Sequence, residues 1–119
     1  MAKPVSAGDL CSLELMIGAW IFVHVIAREE SPEGPVVHFA TFDLMAHERP
    51  TDENLKKVQN FLTKVPHAAV YEPAFLEARP VRLGSRPVSP ESLEKYAAWS
   101  ELRRQGKVSA SPGPILRLI

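Results

Sequence analysis

An α+β domain built on a small, mostly antiparallel curved sheet with two helices is the fold that three observations predict. Residues 15–27 (LMIGAWIFVHVIA) and 36–44 (VVHFATFDL) concentrate β-branched and aromatic side chains on either side of a polar break, so they read as consecutive strands of one buried sheet. Apolar residues recur at helical spacing at Leu55, Val58, Phe61, Leu62 and Val65, and Ser89-Pro90 opens a second helix. A chain of 119 residues is the size of one domain with one core, so residues 1–119 are read as a single domain in which residues 1–7 form a flexible arm.

Taken in order, Gly8-Asp9 turns into a first strand over 10–15, and Gly18 supplies the backbone angles of a tight hairpin connection. The second strand, 19–28, sends Ala19, Ile21, Val23, Val25 and Ala27 to one face and Trp20, Phe22, His24 and Ile26 to the other. Both faces are largely apolar, which predicts a central strand covered by a helix or curled into a small barrel. A polar turn over 29–35 leads to the third strand, 36–44. A helix over 51–65 follows, capped by Thr51 or Asp52 and ended by Pro66. Residues 68–71 form a short strand broken by Pro73, and 76–83 another, interrupted by Pro80. The second helix, 90–104, has Ser89 as N-cap, Arg103-Arg104 at its negative end and Gly106 as C-cap; Leu93, Tyr96, Ala97, Trp99 and Leu102 dock it. The last five residues, ILRLI, are too apolar to stay in water and return to the core or to an interface.

Composition narrows the function classes. Lys and Arg number 14 and so do Asp and Glu, so no global field draws the chain to nucleic acid or to an anionic membrane. The balance hides a split: residues 1–60 hold nine acidic and five basic side chains, and residues 61–119 the reverse. Such a dipolar chain suits a charged protein partner. The single cysteine, Cys11, leaves no intramolecular disulfide and no multi-cysteine zinc motif, and a reducing, cytoplasmic setting is expected. The run at 15–27 is shorter than the roughly 20 residues of a spanning helix and follows Asp9 and Glu14 rather than a basic leader, so no membrane association is expected. Two apolar faces on one strand leave a dimer open.

Acid–base or metal chemistry rests on Cys11, His24, His38, His47, His67 and the nearby carboxylates. If the first hairpin pairs residues whose numbers sum to 35, Cys11 lies opposite His24; if the second pairs at 62, His24 lies opposite His38. One cysteine and two histidines would make three zinc ligands or a nucleophilic pair, and with Trp20 and Asp43 they outline a pocket for a small molecule. Register decides, because a slip of one residue sends a partner to the other face. The plainer reading makes Cys11 a small core residue, the histidines hydrogen-bonded or half-exposed, and Asp43 a turn cap whose cross-strand neighbour is Trp20. No metal and no cofactor is implied. Arg79, Arg82 and Arg86, with Tyr71 or Trp99 as a stacking platform, sketch a binding surface; their spacing fits no RNA- or DNA-binding motif, and Glu91, Glu94 and Glu101 dilute the positive charge. No phosphate-cradling loop, serine elbow or HExxH helix is present.

The order of elements carries a resemblance. Residues 8–15 (GDLCSLEL), then 18–26 (GAWIFVHVI), then a third strand ending in Phe42-Asp43-Leu44, resemble the bacterial immunity proteins of the Imm26 type over roughly residues 8–65, and thinly over 81–87. The chain departs from that pattern at His24, where a glycine is usual, and at Arg79-Pro80, where a tryptophan-proline pair is usual. The resemblance implies a partly open SH3-like barrel decorated with helices, and a non-catalytic protein that binds and neutralises a cognate toxin inside the producing cell. On that expectation Tyr71, Arg79, Arg82 and Arg86 form the contact surface. The alternatives are a small-molecule or enzymatic pocket at Cys11, Trp20, His24, His38 and Asp43, and a nucleic-acid-binding barrel.

Overall fold

The computed structural model describes residues 4–51, 53 and 63–118. Five antiparallel strands, β1 (Asp9–Met16), β2 (Ala19–Glu29), β3 (Val36–Ala46), β4 (Thr63–Tyr71) and β5 (Val81–Ser85), form one sheet in the order β4-β3-β2-β1-β5. The sheet does not close into a barrel, so β4 and β5 are its edges. Two helices, α1 (Glu72–Glu77) and α2 (Pro90–Arg104), and a 3-10 turn, Ile115–Leu118, complete the described elements. No helix among the described residues is long and apolar enough to cross a membrane.

The two-sided apolar pattern of β2 becomes two covered faces. On the first, Cys11, Leu13, Ile21, Val23, Val25, Val37, Phe39 and Val70 pack with Phe75 of α1 and with Ile115. Phe39 and Phe75 meet with ring centroids 5.6 Å apart. On the second face Leu10, Phe22 and Phe42 form one apolar cluster, and Val36, Ala69 and Ala110 form another, against Tyr71 and Trp99. Gly18 turns the β1–β2 hairpin at φ +83°, a conformation that costs a side-chain-bearing residue and suits glycine. Gly113 (φ +86°) lets the C-terminal segment pass α1, since a Cβ there would stand 2.6 Å from the Cβ of Ala74. Of the apolar C-terminal pentapeptide, Ile115–Leu118 return within the chain as a 3-10 turn with Ile115 buried.

Five expectations are corrected. Most of the helix expected over 51–65 lies outside the described residues, but 63–65 begin β4, where Phe42 pairs with Thr63 and Thr41 with Val65. Pro66 does not end a helix; it falls where the β3–β4 register shifts, between the Thr41↔Val65 and Phe39↔Ala68 pairs, a bulge in an edge strand where a missing N–H is tolerated. The strand expected over 76–83 starts only at Val81, because Leu76 and Glu77 complete α1. Pro73 sits in the first turn of that helix, where it starts a helix instead of breaking a strand. Finally, α2 has the expected bounds and the expected Ser89 cap, whose side chain accepts from the Ser92 N–H at 3.2 Å. Leu93, Ala97 and Leu102, however, face solvent; the inward positions are Ser92, Tyr96, Trp99 and Arg103.

Candidate functional site

The second face of the sheet holds a polar cluster that the apolar pattern does not announce. Glu29 ends β2, His38 lies on β3 beneath α2, and His67 lies in the irregular part of β4. His38, 0% exposed, places Nε2 2.7 Å from Glu29 Oε1 and Nδ1 2.9 Å from His67 Nε2. The two imidazole centroids are 5.2 Å apart with planes at 20°. That separation is the N···N distance plus one ring radius on either side, so the rings point nitrogen to nitrogen rather than stacking. A metal between them would need both lone pairs converging on one point at about 2.0–2.1 Å. The arrangement instead suits a proton.

α2 completes the cluster. Tyr96 Oη donates to Glu29 Oε2 at 3.2 Å, and Arg103 reaches Glu29 Oε1 at 3.3 Å and Glu33 Oε2 at 3.5 Å. The Tyr96 and Trp99 rings lie 4.4 and 4.9 Å from His38, and the Arg103 guanidinium stands 5.5 Å over Trp99. Burial pushes the His38 imidazole below its ordinary value despite the pull of Glu29. Burial, then the neighbouring His38, push His67 down to about 4. Burial and Glu29 hold the Tyr96 hydroxyl above its usual range.

The residues singled out from sequence are dispersed. β1 and β2 pair with Cys11 opposite Val23 and Leu10 opposite His24, one residue away from the register that would join Cys11 to His24. Cys11 therefore faces the apolar core, where burial and then Asp9 push its thiol up to about 12. His24 pairs with Ala40, and bulges in the β2–β3 ladder bring His38 opposite Ala27. His24 Nε2 instead donates to the Arg86 carbonyl at 2.9 Å, and burial lowers its pKa. Trp20 lies opposite Ala46 and not beside Asp43, which is exposed, as is His47. His24 lines a cavity of about 180 Å³ with Phe42 and Arg86, and Asp43 a separate one of about 90 Å³. Among the described residues no group of three or more His, Cys, Asp or Glu is placed to hold a metal ion.

Arg79, Arg82 and Arg86 gather around β5, while Tyr71 ends β4 at the opposite edge of the sheet and packs near Val36, Ala69 and Ala110. Arg82 joins the buried Asp9 carboxylate (Nε–Oδ1 3.0 Å), which also accepts from the Ser6 N–H. Arg79 lies 3.6 Å from Glu14. Their side chains are 61% and 82% exposed, so most of their N–H groups remain available. Arg86 folds over the Phe42 ring at 5.1 Å. A groove of about 760 Å³ runs beside β5, lined by Val5, Asp9, Cys11, Leu76, Pro80 and Arg82. Glu29, its bond to His38 and the bond of His38 to His67 were not anticipated; the signal available was the 4-3-4 spacing of Ser92, Tyr96, Trp99 and Arg103, which marks an inward stripe without aliphatic residues. The chain matches no family model, no curated protein and no solved structure.

Proposed function

We propose that the chain is a non-catalytic protein-binding domain that takes an extended, acidic segment of its partner along the open edge of β5. The observation that carries this reading is the edge itself: β5 is last in the sheet order, with no further strand beside it among the described residues. An open edge offers a row of backbone donors and acceptors to an incoming strand. Val81 (45% exposed) and the exposed Leu76 supply apolar contacts, and Arg79 and Arg82 supply positive charge. Two copies pairing through β5 would bring those arginines together, which favours a different, acidic partner over a homodimer. Following the resemblance to Imm26-type immunity proteins, the partner we infer is a cognate toxin met in the cytoplasm of the producing cell. The enzymatic alternative has less behind it, because among the described residues His24 and Asp43 line two separate cavities and His38 lines neither of them.

The test is a low-salt pull-down from native lysate with the wild-type chain and with an Arg79→Glu/Val81→Glu double variant. One stoichiometric protein retained by the wild type, lost from the variant and weakened by salt is the expected result. Equal recovery by both chains would move the interface elsewhere. Recovery of nucleic acid or a small ligand with no protein would overturn the binding reading.

A further inference from the structure

Ordinary helix docking buries aliphatic side chains, and α2 does not do so. Its inward stripe is Ser92, Tyr96, Trp99 and Arg103, while Leu93 and Leu102 face water. The groups it meets are also polar: Glu29 from β2, His38 from β3 and His67 from β4. With both imidazoles neutral, the acceptors fix the proton placement within this set. The Glu29 carboxylate only accepts, so His38 donates from Nε2; its Nδ1 is then an acceptor, and His67 donates to it from Nε2. One added proton leaves the His38–His67 bond intact, because whichever imidazole holds it donates to the other. With both rings protonated, two N–H groups face each other head-on across 2.9 Å. A proton on His67 Nδ1 alone leaves that bond intact but puts a cation into a half-buried aromatic site.

We propose that Glu29, His38 and His67, together with Tyr96, Trp99 and Arg103, form an acid-opened clasp: proton uptake by the two histidines releases α2 from the sheet while the five strands stay paired. In the released state both imidazoles reach water and regain their ordinary proton affinity, so linkage raises the release constant as pH falls below 6.5. Glu29 and Glu33 favour the protonated histidines in the closed state; Arg103 and the repulsion between the two rings oppose them, and Tyr96 stays neutral as a donor. The strands survive release because the opposite face, built on Val23, Val25, Phe39 and Phe75, contains no histidine. Opening uncovers Val36 and Ala69, and acid thereby creates an apolar surface that is closed at neutral pH.

The experiment follows amide-exchange protection of the wild-type chain from pH 7.5 to 4, with Trp99 fluorescence in a Trp20→Phe background as the second readout. Protection of α2 is expected to fall together with a red shift of Trp99, while β2 and β3 stay protected. With two protons taken up, the release constant rises by up to about 100-fold per pH unit, and in His67→Gln, whose amide can still donate to His38, by up to about tenfold. Loss of α2 and strand protection in one transition, an unchanged Trp99 down to pH 4, or an unaltered pH slope in His67→Gln would each overturn the clasp. Because exchange in the wild-type chain reads α2 directly, the proposal stays testable even if a variant fails to fold.

Discussion

The two faces of this sheet are closed by different chemistry. On the first face α1 and the 3-10 turn bring Phe75 and Ile115 onto Phe39, Val23 and Leu13, with the Cys11 thiol among them and the buried Asp9 carboxylate, paired with Arg82, beside it. On the second face α2 arrives with Tyr96, Trp99 and Arg103 onto Glu29, His38 and His67, and His24 lies further along the same face. Apolar burial holds the first face, and its strength follows the area removed from water. The second face adds to its two small apolar clusters a hydrogen-bonded set of ionisable groups, and such networks are strong when complete and costly when their members change charge. The two sides are therefore expected to respond differently to acid.

The most direct way to break the comparison is to open the first face. Phe75→Ala removes a fully buried ring from between α1 and β3 and is expected to cost about 3–5 kcal/mol, read as a lower denaturation midpoint with unchanged pH dependence between 5 and 8. A loss that grew on acidification would mean that the two faces are coupled and that the division drawn here is wrong.

The pH arms sharpen the same contrast. His67, with a folded value of about 4 against an ordinary 6.5, binds a proton more readily unfolded than folded across that window. Its contribution is thus whole above pH 6.5 and is lost as pH falls towards 4, on the order of 3 kcal/mol at most, and His24 and His38 shift in the same direction. Cys11 works at the other end. Its folded value of about 12 lies above the ordinary 9.0, so the unfolded thiol ionises first; its contribution is whole below pH 9 and is lost as pH rises towards 12. Cys11→Ala should reduce the alkaline loss, leaving the share that Tyr96 contributes, and leave the acid arm unchanged, and the native thiol should resist alkylation at pH 8. Rapid alkylation of the folded chain, or an alkaline arm of equal size in Cys11→Ala, would show that the first face is not closed as described.

β1, β2, β3 and α2 are legible in the sequence because alternation, the Gly18 turn and the Ser89-Pro90 start each act locally. The beginning of β4 is not, since Leu55, Val58, Phe61, Leu62 and Val65 have helical spacing and Pro66 looks like a stop; only pairing with β3, at a bulge, makes 63–65 a strand. α1 is hidden for a similar reason: Pro73 has one meaning in a strand and another in the first turn of a helix. The site fails on register. Cys11 misses His24 by a single residue in the first hairpin, and the bulges of the β2–β3 and β3–β4 ladders bring His38 to Glu29 and His67. Bulges are tertiary facts, and no count of hairpin residues contains them.

The smallest predicted effect lies at Arg79, the turn that carries the chain from α1, which covers the apolar face, into the open edge at β5. Arg79 adopts φ +51°, a left-handed conformation unfavourable for a residue with a Cβ, and its N–H closes the helix end on the Leu76 carbonyl at 3.0 Å. Its contact with Glu14, 3.6 Å long and 82% exposed on the arginine side, adds little stability. Glycine would therefore suit the fold better there, and Arg79→Gly is expected to raise stability by about 0.5–1 kcal/mol in equilibrium denaturation. The same change removes one of the two exposed cations beside Val81, so, on the proposed binding mode, it should weaken capture of an acidic partner while the domain becomes more stable. A destabilised Arg79→Gly would mean that the side chain holds the α1–β5 corner. A stabilised variant that binds as well as the wild type would take Arg79 out of the interface and leave Arg82 as the charge that matters.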